Sequence, residues 1–228
     1  MNKQQQTAYI KVLEQIFQQL DQDQEAQNAC QLLQNRVQKL DTTETIEDHP
    51  SSPLDEQNLP LPQQLIDNPQ AVALFSDGAC RGNPGPGSYG VIGQDGQGAV
   101  ILKESSLSID TTNNIMELTA AIRGIELLIE LYQKQSKDKV LAQVDIYLFS
   151  DSKYVVDGAT KWVAGWKRKG WKKADRSAPL NLALWQRLDE LLTQLPRVKL
   201  VWVKGHAGHP QNEFCDQMAN QILDNSGF

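Results

Sequence analysis

Apolar residues alternate with polar or small ones in five short stretches of the later part of this chain. They lie near residues 71–77, 88–93, 98–106, 143–150 and 198–204, and a period of two predicts strands there. Stripes with spacings of three and four predict helices near 114–132, 152–166, 180–194 and 211–224. The first three strands follow one another through short Gly-rich connections such as GQDGQG, so the sheet should begin as an antiparallel meander. The later strands follow helices and should join in parallel. The expected class is α/β, a mixed five-stranded sheet flanked by helices.

The pattern upstream is different. Tyr9, Leu13, Ile16 and Leu20 share one helical face, and Ala29, Leu33, Val37 and Leu40 share another, with DQDQE between them. This predicts a helical extension over 1–40, with a helical hairpin as its expected form. Residues 41–70 hold five of the ten prolines, several acidic residues and few apolar ones, the composition of an extended linker that cannot bury a core. The expected division is a Gln-rich helical extension at 1–40, an acidic, Pro-containing linker at 41–70 and a globular domain at 71–228.

Charge sharpens that division. Residues 1–70 carry 11 acidic and 4 basic residues and 16 glutamines, net −7, whereas the remaining 17 acidic and 18 basic residues give +1. A segment this acidic is repelled by nucleic acid, so its expected partner is a protein, through docking or self-association; a functionless extension is the alternative. Cys30, Cys80 and Cys215 show neither a close pair nor metal-type spacing, which fits a reducing compartment. No apolar run is long enough to span a membrane, and MNKQQQTAYIKV lacks the apolar core of a signal peptide, so a cytoplasmic location is expected.

Four carboxylates are candidates for chemistry. LFSDG at 74–78 and LFSDS at 148–152 nearly repeat, and the strand period puts Phe75 with Asp77, and Phe149 with Asp151, on one face. Either aspartate alone reads equally as a turn former or a helix N-cap. Glu117 lies three residues after Asn114, the spacing of a capping box. Asp216 borders the apolar stripe Cys215, Met218, Ala219, Ile222 and could be an ordinary boundary residue.

The blocks DGACRGNPGPGSYG, TTNNIMELTAAIRGIELL, DSKYVVDGATKWVAGWKRKGWKKAD, LWQRLDELL and WVKGHAGHPQNEFCDQMA follow in unbroken order between Leu74 and Leu223. Together they resemble the successive blocks of bacterial ribonuclease H type 1. The resemblance implies a ribonuclease H-like fold and endonucleolytic cleavage of the RNA strand of RNA/DNA hybrids, leaving 5′-phosphate and 3′-hydroxyl ends. It assigns the active site to Asp77, Glu117, Asp151 and Asp216, with His206 assisting proton transfer or product release. Carboxylates packed together repel one another, and divalent cations resolve the conflict. Oxygen-only ligands select Mg²⁺, with Mn²⁺ as a substitute. Two ions about 4 Å apart can activate a water and stabilise the leaving oxygen.

The same resemblance places substrate contacts at Cys80, Asn83, Asn113 and Asn114, and a DNA-phosphate pocket at Thr112 and Asn181. Lys153 departs from the family pattern, where many relatives carry Gln, and suggests a phosphate contact instead. Trp162, Trp166 and Trp171 are interleaved with Lys161, Lys167, Arg168, Lys169, Lys172 and Lys173 in a basic segment that could track phosphates and resembles the family's basic protrusion. The plainer reading is an amphipathic segment whose tryptophans pack on the core, Trp171 and Trp162 above all. His209 is given no role beyond its loop. A hybrid-binding protein without catalysis would lack at least one carboxylate, and a different nuclease or a recombinase on this fold would lack the basic segment and the GHAGHP loop; all are present.

Overall fold

The computed structural model describes residues 58–205 and 209–228. The two expected N-terminal helices, most of 41–70 and His206 lie outside the described residues. A short helix, α1 (Gln63–Asp67), leads into the meander β1 (Val72–Cys80), β2 (Gly85–Asp95) and β3 (Val100–Thr111). Then come α2 (Asn113–Lys134), the short α3 (Asp138–Leu141) and β4 (Ile146–Ser150). The next helical stretch is α4 (Lys153–Asp157), a π-helical turn (Gly158–Trp162) and α5 (Val163–Arg168). Helix α6 (Leu182–Gln194), β5 (Val198–Trp202) and α7 (Pro210–Asn225) complete the chain.

The sheet order is β3-β2-β1-β4-β5, antiparallel through β1 and parallel from β1 to β5, as the connections require. Leu74 and Leu148 point to one face and pack with Leu118 and Ile125 of α2 and Trp185 and Leu188 of α6. Phe75 and Phe149, one residue on, point to the other face and pack with Cys215 and Met218 of α7. The two repeated strand endings lie side by side in register, Leu74 opposite Leu148 and Phe75 opposite Phe149. Their phenyl rings stack with centroids 4.8 Å apart and planes 11° from parallel.

Three differences from expectation bear on the site and the core. Strand β1 runs past Asp77 to Cys80, because its antiparallel partner β2 continues alongside after the parallel ladder to β4 has ended. The helix expected over 152–166 changes pitch at Gly158, where a Cβ would lie 2.0 Å from the Trp185 ring, so tight packing on α6 coincides with the wide turn. The largest difference is in residues 58–67, expected to be linker. Leu59 and Leu65 are buried in one cluster with Ala71, Ile92, Phe214 and Met218. Gln94 donates to the Leu59 carbonyl (3.3 Å), and Gln211 of α7 donates to the carbonyl of Pro60 and to Gln94 Oε1 (3.1 Å). Two leucines in a polar, proline-containing run are too few to register as a pattern, yet each fills a site in the core.

No helix among the described residues is long and apolar enough to cross a membrane.

Candidate active site

Asp77 projects from β1 between the two helices that cover opposite faces of the sheet. Gly78 allows α2 to come close: a Cβ there would lie 2.5 Å from the Glu117 amide nitrogen and 2.8 Å from the Met116 carbonyl carbon. On the other face, Gly90 admits α7, since a Cβ would lie 2.2 Å from the Cys215 carbonyl oxygen. Cys215 Sγ donates to the Phe75 carbonyl (3.3 Å) and fixes the helix there, which leaves Asp216 beside the site. Asp151 follows β4 directly, and a Cβ on Gly205 would lie 2.3 Å from its Oδ2, so the loop after β5 passes close against it.

One carboxylate oxygen from each of Asp77, Glu117 and Asp151 lies within 4.8 Å of the others. Asp77 and Glu117 are 7% and 6% exposed. Asp77 is oriented by the Gly78 amide donating to Oδ1 (2.8 Å) and by Asn212 Nδ2 donating to Oδ2 (3.2 Å). Asn113 Nδ2 donates to Glu117 Oε1 (3.4 Å), while Glu117 Oε2 is buried and meets no donor among the described residues. Asp216 stands outside the tight trio, held by Asn220 Nδ2 at Oδ1 (2.7 Å), but its charge reaches Asp77.

Burial, then the charges of Asp151 and Asp216, push the Asp77 carboxyl up to about 8. Burial, then Asp77 and Asp151, hold Glu117 well above the usual carboxylate range. At neutral pH the cluster therefore retains protons or gathers cations. Three converging carboxylates, one of which keeps an oxygen that meets no donor among the described residues, suit a hard divalent cation. Thr112 caps α2 by accepting from the Ile115 amide (3.4 Å), which places Glu117 beyond the first turn and removes the capping-box reading. Gly78→Ala is expected to displace α2, lowering stability by about 1–3 kcal/mol and weakening Mn²⁺ binding. Thermal unfolding and calorimetric titration measure both, and wild-type values would refute the close-approach argument.

The other expected site residues fall in three groups. Cys80 donates to the Gly82 carbonyl (2.8 Å), and Asn83 Oδ1 accepts from the Asn113 amide (3.2 Å), so the Gly-rich loop is tied to the first turn of α2, where Asn114 also lies. Asn181 adopts a left-handed backbone and donates to the Tyr154 hydroxyl (3.2 Å), while the Thr112 hydroxyl serves its helix cap. In the basic segment, Trp166 packs on Trp185 (centroids 5.7 Å) and Trp171 lies against the main core, whereas Trp162 is the exposed ring. Lys167 is paired with Asp189 (2.7 Å); Arg168 and Lys169 are exposed.

Sequence reasoning missed four contributors: Gly78, Gly205, Asn212 and Trp202, whose indole N–H donates to the Asp151 carbonyl (2.9 Å). Asn212 had a signal, lying one helical turn before Asp216 on the same face. His209 also does more than close its loop. Its ring sits 5.8 Å from Phe75 and 5.7 Å from Phe149, Nδ1 is buried without a partner among the described residues, and burial lowers its pKa.

The RNase H family model matches residues 69–224. Ribonuclease H of Edwardsiella ictaluri is 44% identical over 165 residues, covering 69% of this chain and 96% of that one. Ribonuclease H of Halorhodospira halophila is 48% identical over 153 residues, covering 67% and 93%. The crystal structure of LC11-RNase H1 in complex with RNA/DNA hybrid shares the fold, with TM-score 0.53 and 23% identity over 68% of this chain and 98% of that one.

Proposed function

This chain belongs to the ribonuclease H family of enzymes, and from that premise we propose that it cleaves the RNA strand of RNA/DNA hybrids endonucleolytically by a two-metal-ion mechanism, leaving 5′-phosphate and 3′-hydroxyl ends. The observation that carries the reading is the convergence of Asp77, Glu117 and Asp151 within 4.8 Å, inside the region matched by the family. Asp77, Glu117, Asp151 and Asp216 would hold Mg²⁺, or Mn²⁺ in its place. Bound there, the cations supply Lewis acidity toward water and phosphodiester oxygens and neutralise charge that the carboxylates cannot tolerate alone.

The chain's own groups do the positioning. Asn212 and the Gly78 amide set both Asp77 oxygens, and Asn113 sets Glu117 while standing in the helix turn that faces the Gly-rich loop. Cys80, Asn83, Asn113 and Asn114 then lie where the RNA strand would be read through its 2′-hydroxyls. Thr112 and Asn181 contact DNA phosphate, and Lys153, Trp162, Trp166, Lys167, Arg168 and Lys169 follow the backbone of the hybrid. His206, between Gly205 and the following Ala-Gly, moves a proton or releases product. The location is cytoplasmic.

The assay is cleavage of an end-labelled hybrid with Mg²⁺. Cuts in the RNA strand alone are expected, with DNA and RNA duplexes resistant; an intact hybrid, or equal cleavage of either duplex, refutes the reading. Residues 1–40 dock a protein partner or a second copy of the chain. Deleting 1–57 without changing partner recovery or solution mass would count against that role.

A further inference from the structure

Trp202 ends β5 opposite Ser150, which places it beside Asp151, the first residue past β4. One side of its indole is committed, through the N–H bond to the Asp151 carbonyl (2.9 Å). Yet the residue is 43% exposed, and the Lys153 ammonium lies 5.0 Å from the ring centroid. Lys153 is the first residue of α4, two positions past Asp151, and is itself exposed. Its flexible stem could equally swing the ammonium onto the neighbouring carboxylates, which burial and mutual repulsion make strong attractors for a cation. Seated on the ring, it is instead kept among groups that face solvent.

We infer that Trp202 is a positioning residue: its ring holds the Lys153 ammonium off the carboxylate cluster and at its rim, where it meets substrate phosphate. Two effects follow. The lysine does not compete with divalent cations for Asp151 and its neighbours, and a positive charge is ready at the edge of the site. The second effect rests on the hybrid-cleaving reading, while the first requires no nucleic acid and is tested without it.

The test is calorimetric titration of Mn²⁺ into the full chain. Loss of the ring in Trp202→Leu should raise Kd about 2- to 5-fold, the range of a surface cation–π contact. Trp202→Phe keeps a ring but not the N–H, and should stay close to wild type. Adding Lys153→Gln to Trp202→Leu should restore the affinity, because the competing ammonium is gone. A wild-type Kd in Trp202→Leu, or a double variant as weak as Trp202→Leu, overturns the inference. So does a Trp202→Phe as weak as Trp202→Leu, which would trace the loss to the Asp151 peptide instead.

Lys153→Gln alone changes an exposed side chain and leaves packing intact. Its hybrid affinity, measured across a salt series, should lose about one unit of log–log slope. An unchanged slope overturns the phosphate limb. Failure of wild type to cleave hybrid would instead strike the functional reading and leave the cation titration standing.

Discussion

Asp77→Asn is expected to reduce hybrid cleavage on the order of a thousandfold and, at pH 8 without divalent cations, to make the protein harder to unfold. The two effects share one cause. Asp77 is buried beside Asp151 and Asp216, and its carboxyl is pushed from an ordinary 3.8 up to about 8. Between those values the folded state binds more protons than the unfolded chain, so stability declines as pH rises. The contribution of the neutral carboxyl is complete below about pH 4 and is lost as pH climbs through 8, a change on the order of 5 kcal/mol. Asparagine is neutral throughout, so the variant should lose the share of this slope that Asp77 contributes and keep the share of Glu117, whose burial also holds its carboxyl high. Adding Mn²⁺ to wild type should recover stability at pH 8 far more than at pH 5. Unfolding curves at both pH values, with chelator and with Mn²⁺, decide the matter; a variant less stable than wild type at pH 8 in chelator would contradict it.

Leu65→Ala is expected to cost about 2–5 kcal/mol, since the side chain is fully buried and the surrounding cluster cannot close over the gap. For a domain of this size that is a fall of about 5–15 °C in Tm. A chain beginning at residue 69, where the family match begins, should lose at least as much, and one beginning at residue 58 should not. The loss should also reach the site. Gln211, which holds the Pro60 carbonyl, precedes Asn212, which orients Asp77. A Leu65→Ala protein that melts within about 2 °C of wild type would show that residues 58–67 lie on the domain without supporting it.

The contrast between these positions explains what was legible beforehand. A period of two was enough to place Phe75 with Asp77 and Phe149 with Asp151, because strand geometry depends only on local order. Their likeness alone leaves two unrelated turn formers; only the family resemblance, which puts both aspartates in one site with Glu117 and Asp216, makes the endings neighbours, and β1 pairs with β4 in that register. Glu117 was ambiguous because cap and site share the first turns of a helix; only the position of Thr112 as N-cap separated them. Leu59 and Leu65 fall in a stretch with the composition of a linker, because composition averages over a window and cannot see two side chains inserted singly. Trp202 was invisible for a different reason. Its bond to Asp151 depends on the parallel register of β5 on β4, set between residues about fifty positions apart.

Distance along the chain has one further consequence. Asp77 and the asparagine that orients it, Asn212, are separated by 135 positions, and the helix bearing Asn212 and Asp216 follows all five strands of the sheet. Synthesis runs from the other end, so β1 leaves the ribosome long before α7 exists. A nascent chain that ends before residue 212 therefore holds Asp77 without the asparagine that orients it, however well its meander has formed.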